Sequence, residues 1–188
     1  YKVVPWCPRC GTSLSSHELA QGYEDVKDLS LTARFELVDE PGTYFLAWTT
    51  TPWTLPGNVA LAVAENIEYG VYDYGDYKII LAARVATEKS SVLLAPLGQT
   101  ISSRPVRLVK GHDLVGKRYK PLYNFARDLT PESEKSKFDK AFQVYAADFV
   151  TTEDGTGIVH TAVMYGQEDF ELGNKIGLPK VHLVNQEG

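Results

Sequence analysis

Three consecutive threonines, Thr49, Thr50 and Thr51, run directly into Pro52 and Trp53 within the stretch WTTTPWTLPGN, which ends at Asn58. Each hydroxyl both donates and accepts a hydrogen bond, so a row of them can hold a water molecule or a sugar hydroxyl. Pro52 has no N–H and a fixed φ, so a β-ladder must stop there, leaving the hydroxyls at a strand end. The plainer alternative is a β-branched strand end, where threonine is common. A second stretch, DGTGIVHTA, carries a Gly-rich turn into a short strand that contains His160. Its glycine spacing fits neither the dinucleotide fingerprint nor the Walker loop, and a single histidine is more often a structural hydrogen-bonder than a catalyst. A third, GQEDFELG, places Glu168 and Asp169 at a helix start. There acids favour the helix dipole, and one of them, turned into a cleft, can hold an ammonium group. The fourth, WCPRCG, contains Cys7 and Cys10, half of a tetrahedral zinc site. His17 and His112 have no convincing spacing to complete it.

The elements that must position these groups are mostly strands. Leu31–Val38, Tyr44–Trp48, Val59–Val63, Val106–Val109, Phe142–Phe149, Ile158–Val163 and Val181–Val184 read as strands from their β-branched and aromatic content. Tyr69–Tyr74 and Tyr77–Ala82 flank Gly75-Asp76, a two-residue hairpin turn in which Gly supplies a positive φ. Helices are fewer: a short one within Arg84–Leu94, and one over Glu168–Ile176 that Gly177 and Pro179 terminate. The polar run Thr130–Lys140 reads as an exposed loop or a short surface helix. The expected fold is α+β, mostly β, with strands closing into a barrel and short helices at the periphery.

Composition narrows the function. The chain has 188 residues, 44% apolar and 23% charged, enough for one domain with a real core. Its net charge of −5 argues against a fold-wide grip on nucleic-acid phosphates, so any RNA contact is local. Two cysteines in one Cys-x-x-Cys unit suit a reducing compartment, hence a cytoplasmic origin. No apolar run approaches the roughly 18 residues of a membrane span. The first residue is Tyr1, and the expectation is a fragment of a longer chain.

Taken in order, WTTTPWTLPGN, GHDLVGKRYKPL, DGTGIVHTA and GQEDFELG followed by GLP resemble the editing insertion, connective polypeptide 1, of class I isoleucyl-tRNA synthetases. WCPRCGTSLSSHE resembles the stretch leading into it. Related valyl and leucyl enzymes carry Thr-Thr-Arg-Pro followed by an acid, where this chain has Thr50-Thr51-Pro52-Trp53. The resemblance divides the chain into a lead-in, residues 1–30, and an editing β-barrel domain, residues 31–188. It implies a hydrolase that deacylates valine-mischarged tRNA(Ile), the second sieve of an ATP-dependent ligase. The known logic of such double sieves is that a missing methylene is worth only about 1–3 kcal/mol in the synthetic pocket.

Carried over residue by residue, Asp169 is the carboxylate that binds the α-ammonium of the attached amino acid. Thr49, Thr50 and Thr51 line the pocket and contact the terminal adenosine or the attacking water. Trp53 and Asn58 border the pocket, and His160 limits its size against isoleucine. Direct water attack is expected, since neither cysteine belongs to the pocket motifs. Val163 stands where proline is usual and Met164-Tyr165-Gly166 where Phe-Gly is frequent, yet Asp169 stays in register. The implied partners are the valine-bearing acceptor end of tRNA(Ile) and the rest of the synthetase, with no membrane and a monomeric state. No cofactor is expected on this chain. Zinc belongs to the complete enzyme, where a second Cys-x-x-Cys would join Cys7 and Cys10. The competing readings are a non-catalytic RNA-binding or zinc-ribbon module and a free-standing editing factor.

Overall fold

The computed structural model describes residues 3–25, 27, 29–88, 101, 104–185 and 187. The chain is an α+β fold dominated by sheet. β3 (Leu31–Glu36), β4 (Thr43–Thr49), β7 (Tyr77–Ala82), β6 (Glu68–Tyr74) and β8 (Arg107–Lys110) form a five-stranded sheet in that spatial order. β10 (Ile158–Thr161), β5 (Ala60–Val63) and β9 (Gln143–Ala146) form a second sheet, and β1 (Trp6–Cys7) with β2 (Thr12–Ser13) a small ribbon. Among the described residues no helix is long and apolar enough to cross a membrane.

Local chemistry explains these strands. β6 and β7 meet around Gly75, whose φ of 59° is the left-handed value a tight hairpin turn needs, and Tyr74 pairs with Tyr77. β4 is covered on both faces, with Phe45, Leu46 and Ala47 all buried, because it lies between β3 and β7 and under β10. The Thr49 rung with Leu31 is the last of its ladder. At Pro52 the chain turns into a 3₁₀ helix, Pro52–Gly57, where the missing N–H requires pairing to end.

The sheets are joined at both margins. On one side, isolated bridges link Leu37 to Tyr119 and Arg118 to Gln143. On the other, the Thr156 hydroxyl donates to the Leu46 carbonyl at 2.5 Å, and the Ala82 N–H donates to the Thr156 carbonyl at 2.9 Å. Among the described residues these joints do not extend into ladders, so the closed barrel expected from the sequence is not formed. Gly155 and Gly157, at φ 71° and 77°, take the chain out of extended geometry just before β10, which limits pairing there to single bonds.

Other boundaries shift modestly. The strand expected over Val106–Val109 is Arg107–Lys110, and that over Phe142–Phe149 stops at Ala146. Val181–Val184 is not a strand. A helix covers Ala83–Glu88, and the rest of the Arg84–Leu94 expectation lies outside the described residues. Residues 130–140 hold a short helix, Glu132–Lys135, then a 3₁₀ turn, Ser136–Lys140, anchored by buried Phe138. The GHDLVGKRYKPL stretch is architectural at its start: a Cβ on Gly111 would lie 2.0 Å from the Ala64 carbonyl oxygen, so only glycine lets these backbones touch.

Candidate functional site

The ends of β4 and β10 and the first turn of the helix Gln167–Ile176 converge on one cleft of about 300 Å³. Thr49, Thr50, Thr51, His160 and Asp169 all line it, together with Trp48, Thr54, Asp154, Thr156 and Tyr165. Five residues expected from the sequence at a site therefore share one cavity, though 120 positions separate the outermost two.

The threonine row is ordered by its own bonds. The Thr51 N–H donates to Thr49 Oγ1 at 3.0 Å, and the two hydroxyls lie 3.3 Å apart. Thr54 Oγ1 donates to the Thr51 carbonyl at 2.8 Å and sits 3.5 Å from Thr51 Oγ1. It also lies 3.1 Å from His160 Nε2. A hydroxyl has one proton, and Thr54 gives its proton to a carbonyl. His160 must then donate through Nε2, which assigns the neutral tautomer with its lone pair on Nδ1. Burial pushes the imidazole down to about 4, so it is uncharged at neutral pH. Its Nδ1 is buried with no hydrogen-bond partner.

Asp169 is held differently. Gly166 caps the helix, and the absence of a side chain there leaves room for the carboxylate, since a Cβ would stand 3.1 Å from Asp169 Oδ2. The Ala162 N–H, just past β10, donates to Oδ2 at 3.3 Å. The helix ends in a left-handed Gly177, whose N–H and that of Leu178 both bond to the Gly173 carbonyl. Burial raises the carboxyl to about 6, the Ala162 N–H opposes that rise, and the neighbouring Glu168 charge adds to it. A cation entering the cleft would reverse much of the shift. We expect the Asp169 carboxyl carbon, followed by NMR, to titrate near 6 in the free protein. A midpoint below 4.5 would show that the carboxylate is not desolvated.

The departures from the usual motif keep this geometry. Val163 is buried against Gly173, and Tyr165 turns back through its N–H to the Ala162 carbonyl at 2.9 Å. The Tyr165 hydroxyl accepts the Leu183 N–H at 2.5 Å, fixing the ring as a cleft wall.

Trp53 and Asn58, expected to border the pocket, stand apart from these five. Trp53 is 61% exposed and does not line the cleft. Asn58 is 4% exposed and faces inward, its Nδ2 donating to the Ala60 carbonyl at 2.9 Å and its Oδ1 accepting the Tyr119 hydroxyl at 2.7 Å. That side chain is structural: it closes the turn into β5 and satisfies a buried phenol. Asn58→Ala should therefore cost about 2–4 kcal/mol, because it leaves the Tyr119 hydroxyl buried and unpaired. Urea unfolding reads this, and a loss under about 0.5 kcal/mol would sink the assignment.

Cys7 and Cys10 lie on the β1–β2 ribbon and do not line the cleft. The Cys10 N–H and thiol hold the Cys7 thiol below its usual value. Gly11, at φ 66°, folds the knuckle so that its N–H meets the Cys7 carbonyl at 2.9 Å. Such a knuckle fits two thiolates of a tetrahedral metal site, and among the described residues no third His, Cys, Asp or Glu joins them.

No protein-family model matches the chain. It is 46% identical over 188 residues to the isoleucine--tRNA ligase of Clostridium tetani and 44% identical over 188 residues to that of Thermoplasma acidophilum. Each match takes in the whole chain but only 16% of the ligase, so the chain spans about a sixth of these relatives. Among solved structures it resembles a leucyl-tRNA synthetase CP1 domain, with a TM-score of 0.57 and 19% identity over 79% of this chain and 60% of that one.

Proposed function

From a chain that is similar end to end to one segment of the isoleucine--tRNA ligases, and that shares its fold with a leucyl-tRNA synthetase CP1 domain, we propose a hydrolase that removes valine from mischarged tRNA(Ile). The observation that supports this best is the shared cleft: a buried carboxylate, a row of hydroxyls and a neutral imidazole around about 300 Å³. In this reading the ionised Asp169 receives the α-ammonium of the attached amino acid through charge-assisted hydrogen bonds. The Thr49–Thr51 row holds the terminal ribose and the attacking water. His160 walls the side-chain end of the cleft.

Attack is direct. Water adds to the ester carbonyl carbon to give a tetrahedral intermediate, the bond from that carbon to the ribose oxygen breaks, the ribose oxygen takes up the proton that water gives up, and valine leaves as the free amino acid. A threonine nucleophile would need a base within reach, yet His160 already donates through Nε2 to Thr54. An aminoacyl ester is reactive enough for positioning to supply much of the rate.

Two further parts of the reading go with it. Residues 1–30 form the lead-in, and residues 31–188 the hydrolytic domain of a cytoplasmic enzyme acting as a monomer with its own tRNA. Cys7 and Cys10 would supply half the ligands of a structural zinc in the complete ligase, where the metal would tie the two ends of the inserted domain together.

The test is whether the 188-residue chain releases valine from valine-charged tRNA(Ile) faster than the spontaneous rate. Its kcat/KM should rise with pH through about 6, as Asp169 loses its proton, and then level off until the substrate's α-ammonium begins to deprotonate near pH 8. A neutral His160 contributes no limb in that range. Absence of release, or a rate that falls between pH 6 and 7.5, would contradict the proposal.

A further inference from the structure

One surface beside the cleft is unused by this mechanism. Tyr123 and Phe125 stack on each other, ring centroids 5.7 Å apart and planes 20° from parallel. Both are open to solvent, at 46% and 51% exposure, and Ala126 beneath them is fully buried and anchors the segment. The helix that begins at Phe125, Phe125–Asp128, packs against the 3₁₀ helix Pro52–Gly57, whose Thr54 lines the cleft. Two near-parallel, half-exposed rings thus stand on a segment that packs against the element carrying part of the cleft wall.

The surrounding charge favours one kind of occupant. From Lys117 to Asp128 the sequence holds four cations, Lys117, Arg118, Lys120 and Arg127, against one acid, Asp128, in a chain whose net charge is −5. Lys120 is paired with Glu36, but Lys117 and Arg118 make no ion pair among the described residues. Exposed aromatic faces interleaved with cations are the makeup of single-stranded nucleic-acid surfaces, where bases stack and phosphates meet Lys or Arg. An apolar protein partner would gain nothing from the cations.

We infer that the Tyr123–Phe125 pair is a stacking platform for the unpaired nucleotides that precede the esterified one at the 3′ end of an RNA. The inference rests on the hydrolase reading for the polarity of the strand: if the ester lies in the cleft, the nucleotides just before it leave across the neighbouring surface. The platform supplies affinity and direction, and does not touch the reacting atoms.

Two measurements on the full 188-residue chain test it. The first is fluorescence anisotropy with a labelled RNA tetranucleotide ending in CCA and carrying no ester. Binding should saturate and weaken about tenfold in the Tyr123→Ala/Phe125→Ala pair, and persist in Tyr123→Phe/Phe125→Tyr, which keeps both rings. The second compares valine esters of whole tRNA(Ile) and of adenosine alone. The alanine pair should lose about tenfold in kcat/KM on the tRNA ester, through KM, and nothing on the adenosine ester, which also certifies that the cleft is intact. Oligonucleotide binding that fails to saturate, or that is indifferent to the alanine pair, overturns the platform. Equal losses on both esters overturn it as well, since they mark a merely structural role. If the wild-type chain cleaves neither ester yet binds the RNA through these rings, the hydrolase reading falls while the platform stands.

Discussion

Asp169→Asn is expected to lower the rate of valine release from mischarged tRNA(Ile) by at least about 100-fold and, at the same time, to make the fold more stable at neutral pH. The loss of activity follows from replacing a charge-assisted contact to an ammonium by a neutral one, about 3 kcal/mol in a partly desolvated site. The gain in stability follows from the cost of keeping that charge inside. Burial lifts the carboxyl from 3.8 to about 6 in the native state. Between those values the folded chain binds more protons than the unfolded one, so the fold is favoured below pH 4 and loses that advantage as pH rises through 6. Two pH units set an upper bound near 3 kcal/mol, and partial solvent access lowers it to about 1–3 kcal/mol. Asparagine has the same shape and no charge, and it should remove this penalty. Paired measurements, single-turnover deacylation and urea unfolding at pH 7.5, separate the outcomes. Near-normal deacylation would remove the carboxylate from the mechanism, and a less stable variant would mean that its charge is satisfied within the fold.

That opposition between activity and stability is also why the site was partly legible in the sequence. An acid at a helix start has an ordinary explanation in the helix dipole, and nothing in GQEDFELG alone distinguishes Glu168 from Asp169. The fold does: the third residue of the helix turns under the Ala162 N–H into the cleft, while Glu168 remains exposed. The strands were legible because β-branched and aromatic runs bounded by Gly and Pro have few other solutions, as at Gly75 and Pro52. That the barrel stays open was not, because the sheets meet through single hydrogen bonds at Thr156 and two isolated bridges, which carry no periodic signal.

The 3₁₀ helix Pro52–Gly57 sorts the residues of the threonine motif by face. In that geometry residues three apart eclipse one another. Thr51, Thr54 and Gly57 therefore share a face: the two hydroxyls line the cleft, and a Cβ on Gly57 would stand 2.9 Å from the Tyr165 ring. Trp53 falls on another face and is exposed, and Asn58, just past the turn, is drawn into the core by Tyr119. A reading that treats WTTTPWTLPGN as a line of neighbours selects Trp53 and Asn58 and passes over Thr54. Tyr165 is missed for a similar reason, since only the turn from Ala162 brings its ring to the wall.

The same wall carries the second large prediction. His160 is 7% exposed, neutral, and fixed through Nε2 to Thr54, so it behaves as rigid bulk rather than as a base. A cleft that excludes isoleucine while admitting valine must reject one methylene by steric contact, because attraction alone separates them by only about 1–3 kcal/mol. Rejection of that kind is lost when the rigid neighbour is cut away. His160→Ala should therefore begin to hydrolyse correctly charged isoleucyl-tRNA(Ile), at a rate raised at least about tenfold, while valine release falls by no more than about tenfold. Thr51→Ala removes a hydroxyl from the ordered row without widening the side-chain end, and should slow valine release with isoleucine still protected. The two variants thus divide position from size. If isoleucyl-tRNA(Ile) stays fully protected when the imidazole is gone, the wall against the extra methylene lies elsewhere in the cleft, and Tyr165, held rigid by the Leu183 N–H, becomes the group to truncate next.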